Sequence, residues 1–390
     1  MRCSAYIAAV TTAYTVVCAQ DLPTTESLIA TAAQIAQTIR ITLPNPSVAL
    51  VPGPYYWWQS GIVNDALFTY GSATGDKQYE DLSKNTLYNQ ATGANDFMMP
   101  DAHGNDDQAW WALAALTAAE NAVPVPEGSP TFLSMAQNVF NEQKARWDTT
   151  TCGGGMKFKI DPGEGGYNYK SSIANGLFFQ LAARLAKLTG DSDALSWAEK
   201  SYDWIMSTGL IDGDFNVYDG TDDSKECVDL NHDQWSYNAG VFLYGAAVMA
   251  SQSPDSKWRD RTMGLLSAAQ RNFVRNDALF EANCEGESTC NTDQISFKGI
   301  LARWIGATAV VFPDVKDTVT ALLSGISGRT RSVWNPSLNP MEHYVALEVV
   351  DAAIRANGGA AAVYGMIGAS NNVAKPVRSR SIAGRITWKP

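Results

Sequence analysis

Histidine is almost missing from this chain. His103, His232 and His343 are the only three in 390 residues, too scattered to suggest a metal centre. The zinc-protease motif, Gly-rich phosphate loops and the G-x-S-x-G elbow are absent too, so none of those chemistries is indicated and no cofactor is expected. Basic charge is scarce: 29 Lys and Arg face 40 Asp and Glu, a net charge of −11 that would repel nucleic-acid phosphates. No usable N-glycosylation acceptor exists, because Asn45 and Asn335 are each followed by proline. Long apolar runs are lacking. Ala5 to Val17 is too short and too rich in Thr and Tyr for a membrane span, and no hydrophobic run of the lipid-anchor kind follows Lys375.

What is present is apolar and aromatic. Hydrophobic residues make up 45% of the chain, with 12 Trp, 15 Tyr and 13 Phe, enough for a large core and compatible with sugar stacking. Met1-Arg2, the apolar stretch after it and Val17-Cys18-Ala19 resemble an export signal over residues 1–19. Residues 20–374 then form one domain, and 375–390 a basic flexible tail; the leader makes an exported protein the expectation. Removing the signal leaves Cys152, Cys227, Cys284 and Cys290. An even number in an exported chain suggests disulfides. Of three pairings, Cys152–Cys227 with Cys284–Cys290 is expected; zinc is the rival, without a C-x-x-C or neighbouring His to support it.

A repeat lies in the glycines. Gly61, Gly176, Gly240 and Gly299 each precede an aliphatic residue, and fifteen positions later stand Asp76, Asp191, Asp255 and Asp314. A Gly or Pro precedes each aspartate, so the register predicts a helix, a tight turn and a second helix opened by an Asp N-cap. Glycine inside a helix costs about 1 kcal/mol relative to alanine, and its recurrence points to close helix packing or to backbone approach by a ligand. A fifth copy carries Trp110 at the glycine position and Pro124 at the breaker position. Further helices are predicted from about Thr25 to Ile41, Trp197 to Met206 and Met341 to Ala356. Helix pairs every 50–65 residues or so mean a solenoid or a closed ring. Because half of these helices are too apolar to face solvent, the ring is preferred: an all-α (α/α)6 barrel of about twelve helices. The long loop from Trp147 to Lys170 is expected to hold a small β-hairpin, and Gly213 to Asp233 is a second long loop.

Only the fifth copy has carboxylates at the mouth of its helix: Asp106 and Asp107 occupy the positions held elsewhere by Trp57-Trp58, Ser172-Ile173, Ser236-Tyr237 and Ile295-Ser296. Adjacent like charges raise one pKa, while the helix N-terminus favours ionisation. Together they can yield one carboxylate and one carboxylic acid, the division of labour of a glycosidase. Adjacency fits the short separation of retaining enzymes. The plainer alternative is that Asp106 caps the helix and Asp107 is a solvated first-turn acid.

Other residues at the same end have two readings each. Trp57, Trp58 and Gln59 open one helix as a sugar platform or as packing. Asn175 and Asn238 lie in first turns where Asn is a poor helix former, which favours a ligand contact. Tyr237 is core or a hydrogen-bond donor. Lys298, with Asp293 one turn earlier, is a substrate contact or half of an ion pair. Asp212-Gly213-Asp214 mimics the start of a calcium loop, but Val217 replaces the required glycine, and it is read as an acidic loop.

Several segments together carry a family resemblance: Tyr56-Trp57-Trp58-Gln59-Ser60-Gly61, Asn105-Asp106-Asp107-Gln108-Ala109-Trp110-Trp111, Cys152-Gly153-Gly154-Gly155, Ser172-Ile173-Ala174-Asn175-Gly176, Trp235-Ser236-Tyr237-Asn238-Ala239-Gly240 and Phe297-Lys298-Gly299-Ile300. In these the chain resembles glycoside hydrolase family 76, the endo-α-1,6-mannanases, and most of all its fungal cell-wall branch. The resemblance implies an (α/α)6 barrel and retaining, metal-free cleavage of α-1,6-linked mannose, with Asp106 as nucleophile and Asp107 as general acid/base. It also implies a transglycosidase alternative that attaches glycan-anchored proteins to wall glucan as acceptor, and a secreted or wall-associated location. A non-catalytic glycan-binding protein on the same fold is the third reading.

Overall fold

A computed structural model describes residues 23–359. The expected export signal (1–19) and basic tail (375–390) lie outside the described residues, as does the domain's limit at 374. Twelve α-helices run through the described part: α1 (Thr25–Thr42), α2 (Trp57–Thr74), α3 (Glu80–Gln90), α4 (Asn105–Glu120), α5 (Phe132–Arg146), α6 (Ser172–Thr189), α7 (Ser192–Ser207), α8 (Ser236–Ala250), α9 (Ser256–Phe273), α10 (Gln294–Val311), α11 (Lys316–Val333) and α12 (Pro340–Ala356).

The even-numbered helices form an inner ring. α2 packs on α4, α4 on α6, α6 on α8, α8 on α10, α10 on α12, and α12 returns to α2. Their composition requires this placement: α8 (SYNAGVFLYGAAVMA) is apolar on every side and buried along nearly its whole length. The odd-numbered helices lie outside and bury one stripe, as α7 does with Ala194, Ala198, Ser201, Tyr202 and Ile205. The architecture is the expected (α/α)6 barrel.

The recurring glycines are the joints of the inner ring. A Cβ on Gly240 would stand 2.9 Å from the Leu301 Cα of α10, and one on Gly299 would stand 2.7 Å from the Tyr344 ring and 3.1 Å from the Val345 Cα of α12. Gly176 meets Val241 and Phe242 of α8, and Gly61 the Trp111 ring of α4. Each glycine therefore faces the next inner helix, so their role is packing rather than ligand approach.

Two of the four expected aspartate caps form. Asp191 accepts from the Asp193 and Ala194 N–H groups, and Asp255 from Lys257. Asp76 instead accepts the Tyr70 hydroxyl at 2.6 Å, and α3 starts later, at Glu80. Asp314 lies in a short 3-10 turn begun by Pro313 and pairs with Arg259 across the surface.

The expected hairpin within Trp147–Lys170 is not found. That loop supplies β1 (Tyr169–Ser171), which pairs antiparallel with β2 (Gly220–Asp222) of the second long loop; β2 pairs in turn with β3 (Leu230–Asn231). A separate two-stranded hairpin, β4 (Val274–Arg275) and β5 (Ala278–Leu279), turns at Asn276 and Asp277, both at positive φ as a type I′ turn requires. The disulfides are Cys152–Cys227, which ties the two long loops together, and Cys284–Cys290. Among the described residues no single helix is long and apolar enough to cross a membrane.

Candidate active site

The N-terminal ends of α2, α4, α8 and α10 converge on one cleft of about 680 Å³. Asp106 and Asp107 line it, with Trp57, Trp58, Tyr237 and Asp293 from the neighbouring helices. Of the residues singled out in the sequence, these six are brought together.

The pair is shaped by the residue before it. Gly104 is the N-cap of α4, and its N–H donates to Asp107 Oδ2 at 2.7 Å, so Asp107, not Asp106, performs the capping. A Cβ on Gly104 would fall 2.1 Å from Asp106 Oδ1 and 3.2 Å from Asp107 Oδ2. Only glycine leaves both carboxyl groups their places. Asp106 Oδ1 is buried without a protein hydrogen-bond partner.

Burial overrides the helix N-terminus in setting the protonation of the pair. Desolvation, followed by the charge of Asp107, pushes Asp106 well above the usual carboxylate range. Asp107 is pushed up to about 6 by desolvation, against the Gly104 N–H and the charge of Lys159. The two carboxyls therefore share one proton in the near-neutral range.

The aromatic walls are braced by hydrogen bonds. Trp58 stacks on Trp110 with ring centroids 5.5 Å apart, and its Nε1 donates to Asp293 Oδ1 at 3.1 Å. Trp57 stacks on Trp111 at 5.1 Å and donates to Gln90. Tyr237 lies flat against Phe297 at 3.8 Å, and burial together with the charges of Asp219 and Asp106 keeps its hydroxyl protonated. Asp293 is raised by burial, opposed by the Trp58 hydrogen bond.

Four expected contacts do not line the cleft. Gln59 is fully buried and donates to the Thr292 carbonyl, clamping α2 to the start of α10. Asn175 accepts from the Met156 N–H at 2.7 Å and donates to the Met156 carbonyl at 3.0 Å, fastening the long loop to α6. Asn238 is fully buried, its side chain beside the Asp219 carboxyl. Lys298 pairs with Glu285, not with Asp293, and faces a separate cavity between α10, α11 and α12. Helix propensity cannot tell a polar side chain that meets a ligand from one that meets a loop backbone. Asp212 also serves a turn, accepting from the Asp214 and Asn216 N–H groups and from the Tyr218 hydroxyl.

Sequence reasoning missed Lys159, Phe158, His103, Asp101 and Tyr55 on the cleft wall. Phe158 and Lys159 come from the long loop, whose register against Gly104 carries no local periodicity. Trp110 and Phe297 stood in quoted motifs and could have been found as partners of Trp58 and Tyr237.

Fold and site together define a closed helical ring with an acidic, tryptophan-walled cleft at one mouth. Residues 29–335 match glycosyl hydrolase family 76, and the chain belongs to that family. It is similar to mannan endo-1,6-alpha-mannosidase DCW1 of Candida glabrata, 36% identical over 78% of this chain and 73% of that protein. The protein of the same name from Eremothecium gossypii is 40% identical over 68% of this chain. The match spans only 60% of that second relative's length. Among solved structures, Dfg5 from Chaetomium thermophilum in complex with glucosamine superimposes with a TM-score of 0.81 at 32% identity, covering 86% of this chain and 92% of that one.

Proposed function

We propose that this protein is a retaining glycoside hydrolase that cuts within α-1,6-linked mannan or mannose-containing glycans of the fungal cell wall. The observation that carries the reading is the Asp106–Asp107 pair, two adjacent carboxyls that line one cleft at the start of α4 and are both held above the usual carboxylate range by burial. The names of its relatives supply the linkage and the polymer.

In this reading Asp106 attacks the anomeric carbon while Asp107 delivers its proton to the departing glycosidic oxygen. The C–O bond to the leaving sugar breaks as a glycosyl ester to Asp106 forms. Water then loses a proton to Asp107 and attacks the same carbon, freeing Asp106. Before substrate binds, burial and repulsion favour the proton on Asp106. Positive charge developing at the sugar carbon stabilises the ionised form of the carboxyl nearest it, which moves the proton to Asp107 for the chemical step. Trp57 and Trp58 offer apolar faces for sugar rings, and Tyr237 and Asp293 offer a donor and an acceptor for hydroxyls. A wall-glucan hydroxyl in place of water would make the same ester a transfer intermediate, the second reading carried by the family.

The test is incubation with unbranched α-1,6-mannan, with and without a glucan oligomer, followed by product mass analysis and NMR of the first-formed anomer. The α anomer is expected first; the β anomer would rule out retention. A mannan–glucan adduct assigns transfer. Asp106→Asn turnover equal to a non-zero wild type would remove Asp106 as nucleophile, and no turnover by either would favour a binding protein.

A further inference from the structure

The long loop between α5 and α6 does more than wall the cleft. Its residues 157–160 run antiparallel to 103–105, the segment that leads into the aspartate pair. Asn105 N–H donates to the Phe158 carbonyl at 2.9 Å, Ile160 N–H to the His103 carbonyl at 3.0 Å, and the Asn105 side chain to the Lys157 carbonyl at 2.9 Å. Lys159 stands opposite Gly104 in this bridge. The strap is anchored from behind: Lys157 pairs with Asp223, and Cys152–Cys227 ties the two loops. Lys170, fully buried, binds Asp148 at 3.0 Å and the Gly154 carbonyl at 2.6 Å.

The charges facing this position are mostly negative. Asp101, Asp106 and Asp107 come from the α4 side, and Asp293 from the start of α10, with Tyr55, Tyr56 and Tyr237 completing the titratable groups of the wall. The bases are Lys159 and His103, and His103 is held by Glu164 at 2.8 Å. The same Glu164 is 3.9 Å from the Lys159 ammonium, which also lies over the Phe158 ring at 4.8 Å.

We propose that Lys159 is the charge-setting residue of this site, a positioning group whose ammonium keeps the Asp106–Asp107 pair in its singly charged form. The proposal rests on reading that pair as the catalytic acids. The Lys159 charge acts downward on Asp106, Asp107 and Asp293 together, against the burial that raises all three. Without it, the first ionisation of the pair would be delayed to higher pH, and the nucleophile would be protonated where the enzyme should work. If Lys159 served only as a rim partner of Glu164, its loss would leave the titration of the pair unchanged.

The experiment compares wild type with Lys159→Met, Lys159→Gln, Lys159→Arg and Glu164→Gln. One readout needs no substrate: carboxyl ¹³C titration of Asp-labelled protein, with signals assigned from Asp106→Asn and Asp107→Asn. The other is the pH profile of kcat/KM on α-1,6-mannan. Lys159→Met and Lys159→Gln should raise both apparent pKa values of the pair by about half to one unit and shift both limbs of the profile upward. Lys159→Arg should restore them, and Glu164→Gln should leave them near wild type. Unmoved midpoints in a folded Met or Gln variant, with a rate lowered equally at every pH, overturn the proposal. A wild type inert on mannan would count against the proposed activity, while the titration would still judge Lys159.

Discussion

At the scale of single residues, the cleft depends on what is missing at position 104. An alanine there would strike the Asp106 carboxylate 2.1 Å from its Cβ, forcing one acid out of place while the helix below stays intact. Gly104→Ala is expected to lower kcat on α-1,6-mannan by about 10²-fold or more, with little change in melting temperature. The shared proton sets a pH profile as well. Below about 6 both carboxyls are protonated and the nucleophile is lost; at higher pH the second proton leaves and the acid is lost. The kcat/KM profile should therefore be a bell whose rising limb lies near pH 6, and a flat profile between 5 and 8 would contradict the shared proton. Asp106 and Asp107 were legible in the sequence because they break a pattern: four copies of the repeat put uncharged residues where the fifth puts acids. Lys159 was not legible, because a residue presented by pairing between a loop and a distant segment leaves no period to read.

The elements are joined where the repeated glycines meet the next helix, and the joints differ in tightness. At Gly240 and Gly299 an added methyl would approach backbone, which cannot step aside; at Gly61 it would touch only the Trp111 ring at 3.3 Å. Urea melts should show Gly240→Ala destabilised by about 1–3 kcal/mol, and Gly61→Ala by clearly less. The long loops give another test at this scale. Replacing Cys152 and Cys227 by serine removes a link across 75 residues and loosens the loop that delivers Phe158 and Lys159. We expect about 2–4 kcal/mol of lost stability and a larger fractional loss of activity than of folded protein at 25 °C. The helix register could be read from the glycines because each must face its neighbour. The caps could be read only in part: Gly75 ends α2 in the left-handed region without starting α3, and Pro313 opens a 3-10 turn that absorbs Asp314. Strand β1 was invisible because its three residues pair with a segment from the other long loop.

For the whole molecule, a ring of helices encloses an axis, and this one is polar. Arg303 joins Asp65 to Glu348, and Arg184 grips Glu120 through Nε and Nη2 at 3.0 and 2.7 Å. Burial raises Glu348 to about 7 and holds Asp351 well above the carboxylate range. Both acids bind protons more tightly folded than unfolded. The penalty is therefore absent below their unfolded values near pH 4 and grows as pH rises toward the folded values. Asp351→Asn should stabilise the protein at pH 7 and change its stability little at pH 4, as denaturant melts at the two pH values would show. The closure of the ring has its own outcome. α12 supplies the last inner position and touches both α10 and α2, so the beginning and the end of the described chain meet along one seam. A ribosome releasing this protein releases an incomplete circle until that final stave emerges, and a chain stopped short of residue 340 would leave the flanks of two apolar staves bare to water.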